Sequence, residues 1–90
     1  MIVNTRPNPF ISNIIIEIVN EQQVHVIVRL YDRHGHFIRI ISWEMAKGRN
    51  VTMLRDLDEL ENGTYILDVV NATGETLYKL DLVKRVLIHA

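Results

Sequence analysis

The sequence predicts an all-β domain folded as an antiparallel two-sheet sandwich, and three observations predict it. Apolar residues recur with a period of two along nearly the whole chain, not the period of about 3.6 that marks a helix. Turn signals divide the alternating runs into six or seven short strands, spaced about 8–12 residues apart. The one helical candidate, Ser42 to Lys47, is a turn and a half long and too short to stand alone.

The strands follow in order. Ile14, Ile16 and Ile18 alternate with Ile15, Glu17 and Val19. Val24, Val26, Val28 and Leu30 alternate with His25, Ile27, Arg29 and Tyr31, the cleanest alternation in the chain. Asp32-Arg33-His34-Gly35 reads as a four-residue turn, and His36 to Ser42 as the returning strand. Met45 to Arg49 reads as a loop before a strand from Asn50 to Leu54. The acidic run Asp56 to Gly63 is a connection, because it ends in Asn-Gly. Thr64 to Val70 is a strand with Tyr65, Leu67 and Val69 on one face. Asn71 to Gly74 closes a hairpin into Glu75 to Lys84, and Val86-Leu87-Ile88 extends that strand. Asn4 to Pro9 carries two prolines and reads as a boundary, which predicts a linker remnant over 1–6 and one domain over 7–90.

Composition sets further bounds. Ninety residues hold one domain, and a hydrophobic share of 48% is enough for a core. A net charge of −1, with no basic stripe, argues against nucleic-acid binding. The longest apolar run, Ile14 to Ile16, is far short of the roughly 20 residues that span a bilayer. The first residues lack the pattern of a signal peptide, so an exported form would take its signal from a parent chain. The absence of cysteine excludes disulfides and thiolate metal sites.

Few residues suggest chemistry. His34, His36 and Asp32 carry ligand types suited to zinc, but Asp32 and His34 belong to a turn and a solvated hairpin tip is favoured. His25 and His89 read as surface residues. Asp56, Asp58, Glu59 and Glu61 are oxygen-rich but lack the order of a calcium loop. Ser12 and Ser42 have no acid–base partner near them in sequence. Asn50, Asn62 and Asn71 each begin an Asn-x-Thr triplet that turn chemistry explains. Neither enzymatic activity nor a cofactor is expected. Ile15, Ile27 and Ile41 fall opposite the main core stripe and are candidates for an apolar patch.

Four elements then combine in order. They are Pro7-Asn8-Pro9-Phe10, then Val28-Arg29-Leu30-Tyr31-Asp32-x-x-Gly35, then Leu60-x-x-Gly63-Thr64-Tyr65-Ile66-Leu67-x-Val69, and last Lys79-Leu80-x-Leu82-Val83-Lys84-Arg85. Over about residues 6 to 85 the chain resembles the type A C-terminal sorting domains of proteins exported by the type IX secretion system of Bacteroidetes. The resemblance implies a seven-stranded Ig-like sandwich that serves as an address label and not as a catalyst. It implies the secretion machinery and its sortase-like protease as partners, and a destination outside the cell or on its surface. Gly63, Thr64, Tyr65, Lys79, Lys84 and Arg85 are the residues it suggests for partner recognition. Two features depart from the pattern: no cargo precedes Met1, and Val86 to Ala90 run past the basic end. The alternative reading is a structural or adhesive sandwich that binds a protein or carbohydrate, with homodimerisation through an open sheet edge.

Overall fold

A computed structural model describes residues 1–86. Seven antiparallel strands form two sheets: β1 (Ile2–Arg6), β2 (Ile14–Asn20), β3 (Val24–Asp32), β4 (Phe37–Met45), β5 (Gly48–Leu54), β6 (Gly63–Asn71) and β7 (Thr76–Lys84). The first sheet has the order β1-β2-β5 and the second β4-β3-β6-β7. This is the predicted Ig-like sandwich, with the fourth strand joined to the larger sheet beside β3. Among the described residues no helix is long and apolar enough to cross a membrane.

Alternation decides what each sheet buries. Ile14, Ile16 and Ile18 on β2 face Val26, Val28 and Leu30 on β3, with Leu67, Val69 and Leu82 from the neighbouring strands. All of these are buried, so the predicted inward stripes of β2, β3 and β6 are the core.

The two hairpins of the larger sheet share one device. Asp32 Oδ1 accepts the backbone N–H of His34 at 2.8 Å and of His36 at 2.9 Å. Asn71 Oδ1 does the same for Thr73 at 3.1 Å and Glu75 at 2.8 Å. A short polar side chain here replaces the ladder bonds that a turn cannot make. Each turn ends on a glycine at positive φ, Gly35 at 84° and Gly74 at 87°.

Four expectations change. Residues 2–6 are not a linker but an edge strand, with Val3 opposite Ile18 and Thr5 opposite Ile16. Its short run Ile2-Val3-Asn4-Thr5-Arg6 holds too few apolar residues to signal a strand alone, and pairing with β2 is what orders it. Ser42 to Lys47 is not helical, because β4 runs to Met45 with Ile41, Trp43 and Met45 on its inward side. The expected loop from Met45 to Arg49 shrinks to Ala46 and Lys47, where the chain changes sheets. Asn50 ties that corner: Oδ1 accepts Ala46 N–H at 2.9 Å, and Nδ2 donates to the Ala46 carbonyl at 2.9 Å and the Gly48 carbonyl at 3.1 Å. The expected extension over Val86-Leu87-Ile88 is not seen at Val86, which lies past β7; Leu87, Ile88 and His89 are outside the described residues.

The outer face of the larger sheet carries a buried charge. Asp68 on β6 is only 2% exposed, although it points away from the core. Arg29 on β3 covers it with paired bonds, Nε to Oδ1 at 2.8 Å and Nη2 to Oδ2 at 2.7 Å. Tyr31 Oη adds a third at 3.2 Å. Asp68 and burial shape the neighbours: the Asp68 bond raises the pKa of Arg29, and desolvation followed by the Asp68 charge raises that of Tyr31. Removing Arg29 alone strands the carboxylate, so Arg29→Met should destabilise by about 2–3 kcal/mol. The double variant Arg29→Met/Asp68→Leu should recover most of that loss. Urea unfolding of the two variants checks the difference.

A candidate recognition end where the chain motifs converge

The segment between β1 and β2 leaves the smaller sheet and reaches the edge of the larger one. Phe10 N–H donates to the Val83 carbonyl at 2.8 Å, and Arg85 N–H donates to the Phe10 carbonyl at 2.9 Å. Phe10 is thereby a one-residue parallel partner of Lys84. Asn8 Oδ1 accepts the Val83 N–H at 3.0 Å. The Pro-Asn-Pro-Phe element is therefore a clamp on the C-terminal end of β7. The prolines leave its backbone unable to continue a ladder, so contact is made by one side chain and one residue's backbone.

The Phe10 ring is fully buried beneath this clamp and meets Tyr65 edge-on, with centroids 6.1 Å apart. Tyr65 stands at the start of β6, and its hydroxyl donates back to the Glu61 carbonyl at 2.7 Å. That is the tyrosine corner of Ig-like sandwiches, which pins the crossing from β5 to β6. Burial, then the nearby Glu61 and Asp32 charges, push the Tyr65 phenol pKa up. Gly63 begins the strand at φ 146°, a conformation open to glycine and strained for other residues. The Ser12 carbonyl accepts Leu57 N–H at 2.9 Å and joins the acidic connection to the same end.

Five of the six residues expected to mediate recognition meet here. Gly63 pairs with Lys84, Thr64 with Val83, and Tyr65 with Leu82. Arg85 follows directly and is exposed. Lys84 differs in kind from Arg85: it is 1% exposed, on the inward side of β7, and its ammonium donates to the Arg85 carbonyl at 2.9 Å. A partner cannot reach it while the domain is folded. Lys79 stands apart, exposed on the outer face opposite Asp68 and about 17 Å along the strand from Lys84.

Other candidates separate. His36 Nδ1 meets Asp32 Oδ2 at 3.0 Å, so both oxygens of that carboxylate serve the turn. Among the described residues, no three His, Cys, Asp or Glu side chains converge to hold a metal. The three isoleucines do not form one patch. Ile41 packs on the core, Ile27 lies on the outer face of the larger sheet, and Ile15 lines an apolar cavity of about 380 Å³ with Pro7, Pro9, Ile11 and Met53.

One constellation was invisible in the sequence. Ser42 Oγ lies 2.9 Å from His25 Nε2, and His25 Nδ1 lies 2.9 Å from Glu44 Oε2. The register of β3 with β4, His25 opposite Glu44 and Ile27 opposite Ser42, creates it. The order resembles a nucleophile, base and acid. It lies on an exposed sheet face, and among the described residues there is no helix whose N-terminus could hold an oxyanion. Its hydrogen bonds tie β3 to β4.

The fold belongs to the class of small antiparallel β-sandwich domains, with its first and last motifs locked together at one end. The chain belongs to the family of secretion system C-terminal sorting domains, which it matches over residues 5–84. It is thus a sorting signal for type IX secretion. The match runs from within β1 to the last residue of β7 and so covers the clamp as far as Lys84, one residue short of Arg85. No curated protein matches the chain.

Two outcomes follow from this geometry. Tyr65→Phe keeps the ring contact but loses the bond to Glu61, and should lower stability by about 1 kcal/mol in urea unfolding. Phe10→Ala should lower it by about 3–5 kcal/mol. The second outcome concerns pH. Backbone N–H bonds from His36 and His34 hold Asp32 below its usual carboxylate range, the Arg49 bond does so for Glu17, and the His25 bond for Glu44. A lowered folded pKa stabilises the fold above the unfolded value, and that stabilisation is lost as pH falls through the folded value. The melting temperature should therefore fall as pH drops below about 4.5. Asp32→Asn keeps the turn, as Asn71 does in the other hairpin, and should flatten that slope.

Proposed function

We propose that the type IX machinery reads the clamped end as a folded surface, with Arg85 as its exposed charged contact and Gly63-Thr64 as the adjoining backbone. The clamp is the observation that carries this reading. Asn8 and Phe10 are more than 70 residues from Val83 and Arg85 in sequence and join them only in the native fold. A surface of this kind reports folding, which suits a signal read after the domain has formed. Lys84 supports the surface from beneath, and Lys79 lies outside it.

On this reading the domain is a ligand of the machinery and not a catalyst. A sortase-like protease separates it from its cargo, and the cargo reaches the cell surface or the medium. Family membership favours this role over an adhesive module. Fused behind a reporter with a signal peptide in a type IX-competent bacterium, the wild-type domain should send the reporter across the outer membrane. Arg85→Glu should fold normally and lower export roughly tenfold, as loss of a central interface arginine does. Lys79→Glu should leave export near wild type. A reporter held in the periplasm by the wild-type domain would overturn the reading. Undiminished export with Arg85→Glu would remove Arg85 from the surface.

A further inference from the structure

Among the described residues no further layer covers the outer face of the larger sheet, which is apolar for an open surface. Phe37 is 52% and Ile40 59% exposed on β4, and Leu77 and Val83 are exposed on β7. Between them lie Ile27, Ile66 and Val70, with the Arg29–Asp68 pair already neutralised at the centre. Arg29 also lies over the Phe37 ring, 5.4 Å from its centroid. Among the described residues, the charges nearest this centre without a salt-bridge partner are Lys79 and Asp81 of β7, opposite in sign and two residues apart on the same face.

The pattern has a centre line. Leu80 pairs with Leu67, Leu67 with Leu30, and Leu30 with Arg39, which draws a row across all four strands. On three of the four strands the outward residues on either side of this row match one another: Lys79 and Asp81 flank it on β7, Arg29 and Tyr31 on β3, and Ile40 and Phe37 on β4. On β6 the flanking pair is Ile66 and Asp68, and the Asp68 charge is held by Arg29 of its own copy. Leu77 and Val83 lie three positions from it on either side.

We propose that this face is the contact between two copies of the chain, related by a two-fold axis lying over that row. The rotation sets Lys79 against the partner's Asp81, Ile40 against the partner's Phe37, and Leu77 against the partner's Val83. Arg29 then faces the partner's Tyr31. A surface whose charges and apolar groups match themselves under one rotation fits a second copy, whereas a highly charged partner would meet both signs. The strands of the two copies run antiparallel, so the two clamped ends point in opposite directions and both remain free.

Area sets the strength. All four strands have nine residues. At about 3.3 Å per residue and about 4.8 Å between strands, the face is roughly 30 by 19 Å, or roughly 570 Å² per copy. Two copies bury roughly 1,100 Å², near the lower limit for specific interfaces, so association is weak and concentration-dependent.

Sedimentation equilibrium of the 90-residue chain tests this, with circular dichroism as the check on folding. A monomer–dimer equilibrium with a dissociation constant on the order of 100 μM is expected. Asp81→Lys should weaken it about tenfold, because like charges then face each other twice across the axis. Lys79→Asp should act similarly, and the double variant Lys79→Asp/Asp81→Lys should restore dimerisation with the charges exchanged. Lys79→Asp also meets Asp68 within its own sheet, so Asp81→Lys carries the test if that variant folds poorly. A single monomeric species up to about 1 mM overturns the proposal. A dimer indifferent to Asp81→Lys overturns it too, since the copies would then meet elsewhere, such as at an open sheet edge.

Discussion

The backbone exchange between Phe10 and the end of β7 is the constraint on which the rest of the molecule depends. Two hydrogen bonds, Phe10 N–H to Val83 and Arg85 N–H to Phe10, join a segment leaving the smaller sheet to the edge of the larger. They place the Phe10 ring against Tyr65 at one end of the core. With that ring in position, the tyrosine corner, the start of β6 and the buried stem of Lys84 pack around a common centre. Without it, the end of β7 is an uncovered edge and the two sheets are joined chiefly through their facing aliphatic residues.

Polar groups divide the labour around this apolar frame. Asp32, Asn50 and Asn71 each use a side chain to satisfy backbone groups at a corner or a hairpin. The buried Asp68 is covered by Arg29 and Tyr31 on the outer face, and the buried Lys84 reaches a single carbonyl at the clamp. Asp68 holds its surroundings to one arrangement, because a buried carboxylate without its partners is strongly disfavoured. Arg85 at the clamped end and Lys79 with Asp81 on the open face are exposed instead.

This division suits a domain whose role is to be recognised. The clamp joins residues from opposite ends of the sequence, so it exists only in the folded chain. Ser42, His25 and Glu44 tie β3 to β4 by side-chain hydrogen bonds across the strands.

The sequence by itself determined the fold class, the inward faces of β2, β3 and β6, and the two Asx-glycine hairpins, because these depend on local alternation and turn chemistry. It also carried the family motifs, although not the reason for their spacing. Only the tertiary structure decided that Ile2–Arg6 is a strand, that Ser42 to Met45 continues one, and that Ile41 belongs to the core. Each of these depends on a partner distant in the chain, so no local pattern can encode it. The same holds for the candidate site. Lys84 and Arg85 are adjacent basic residues in the sequence, and the pleat of β7 sends one into the core and leaves its neighbour beyond the strand in solvent. Long-range pairing through Phe10 then makes that end of the chain a surface.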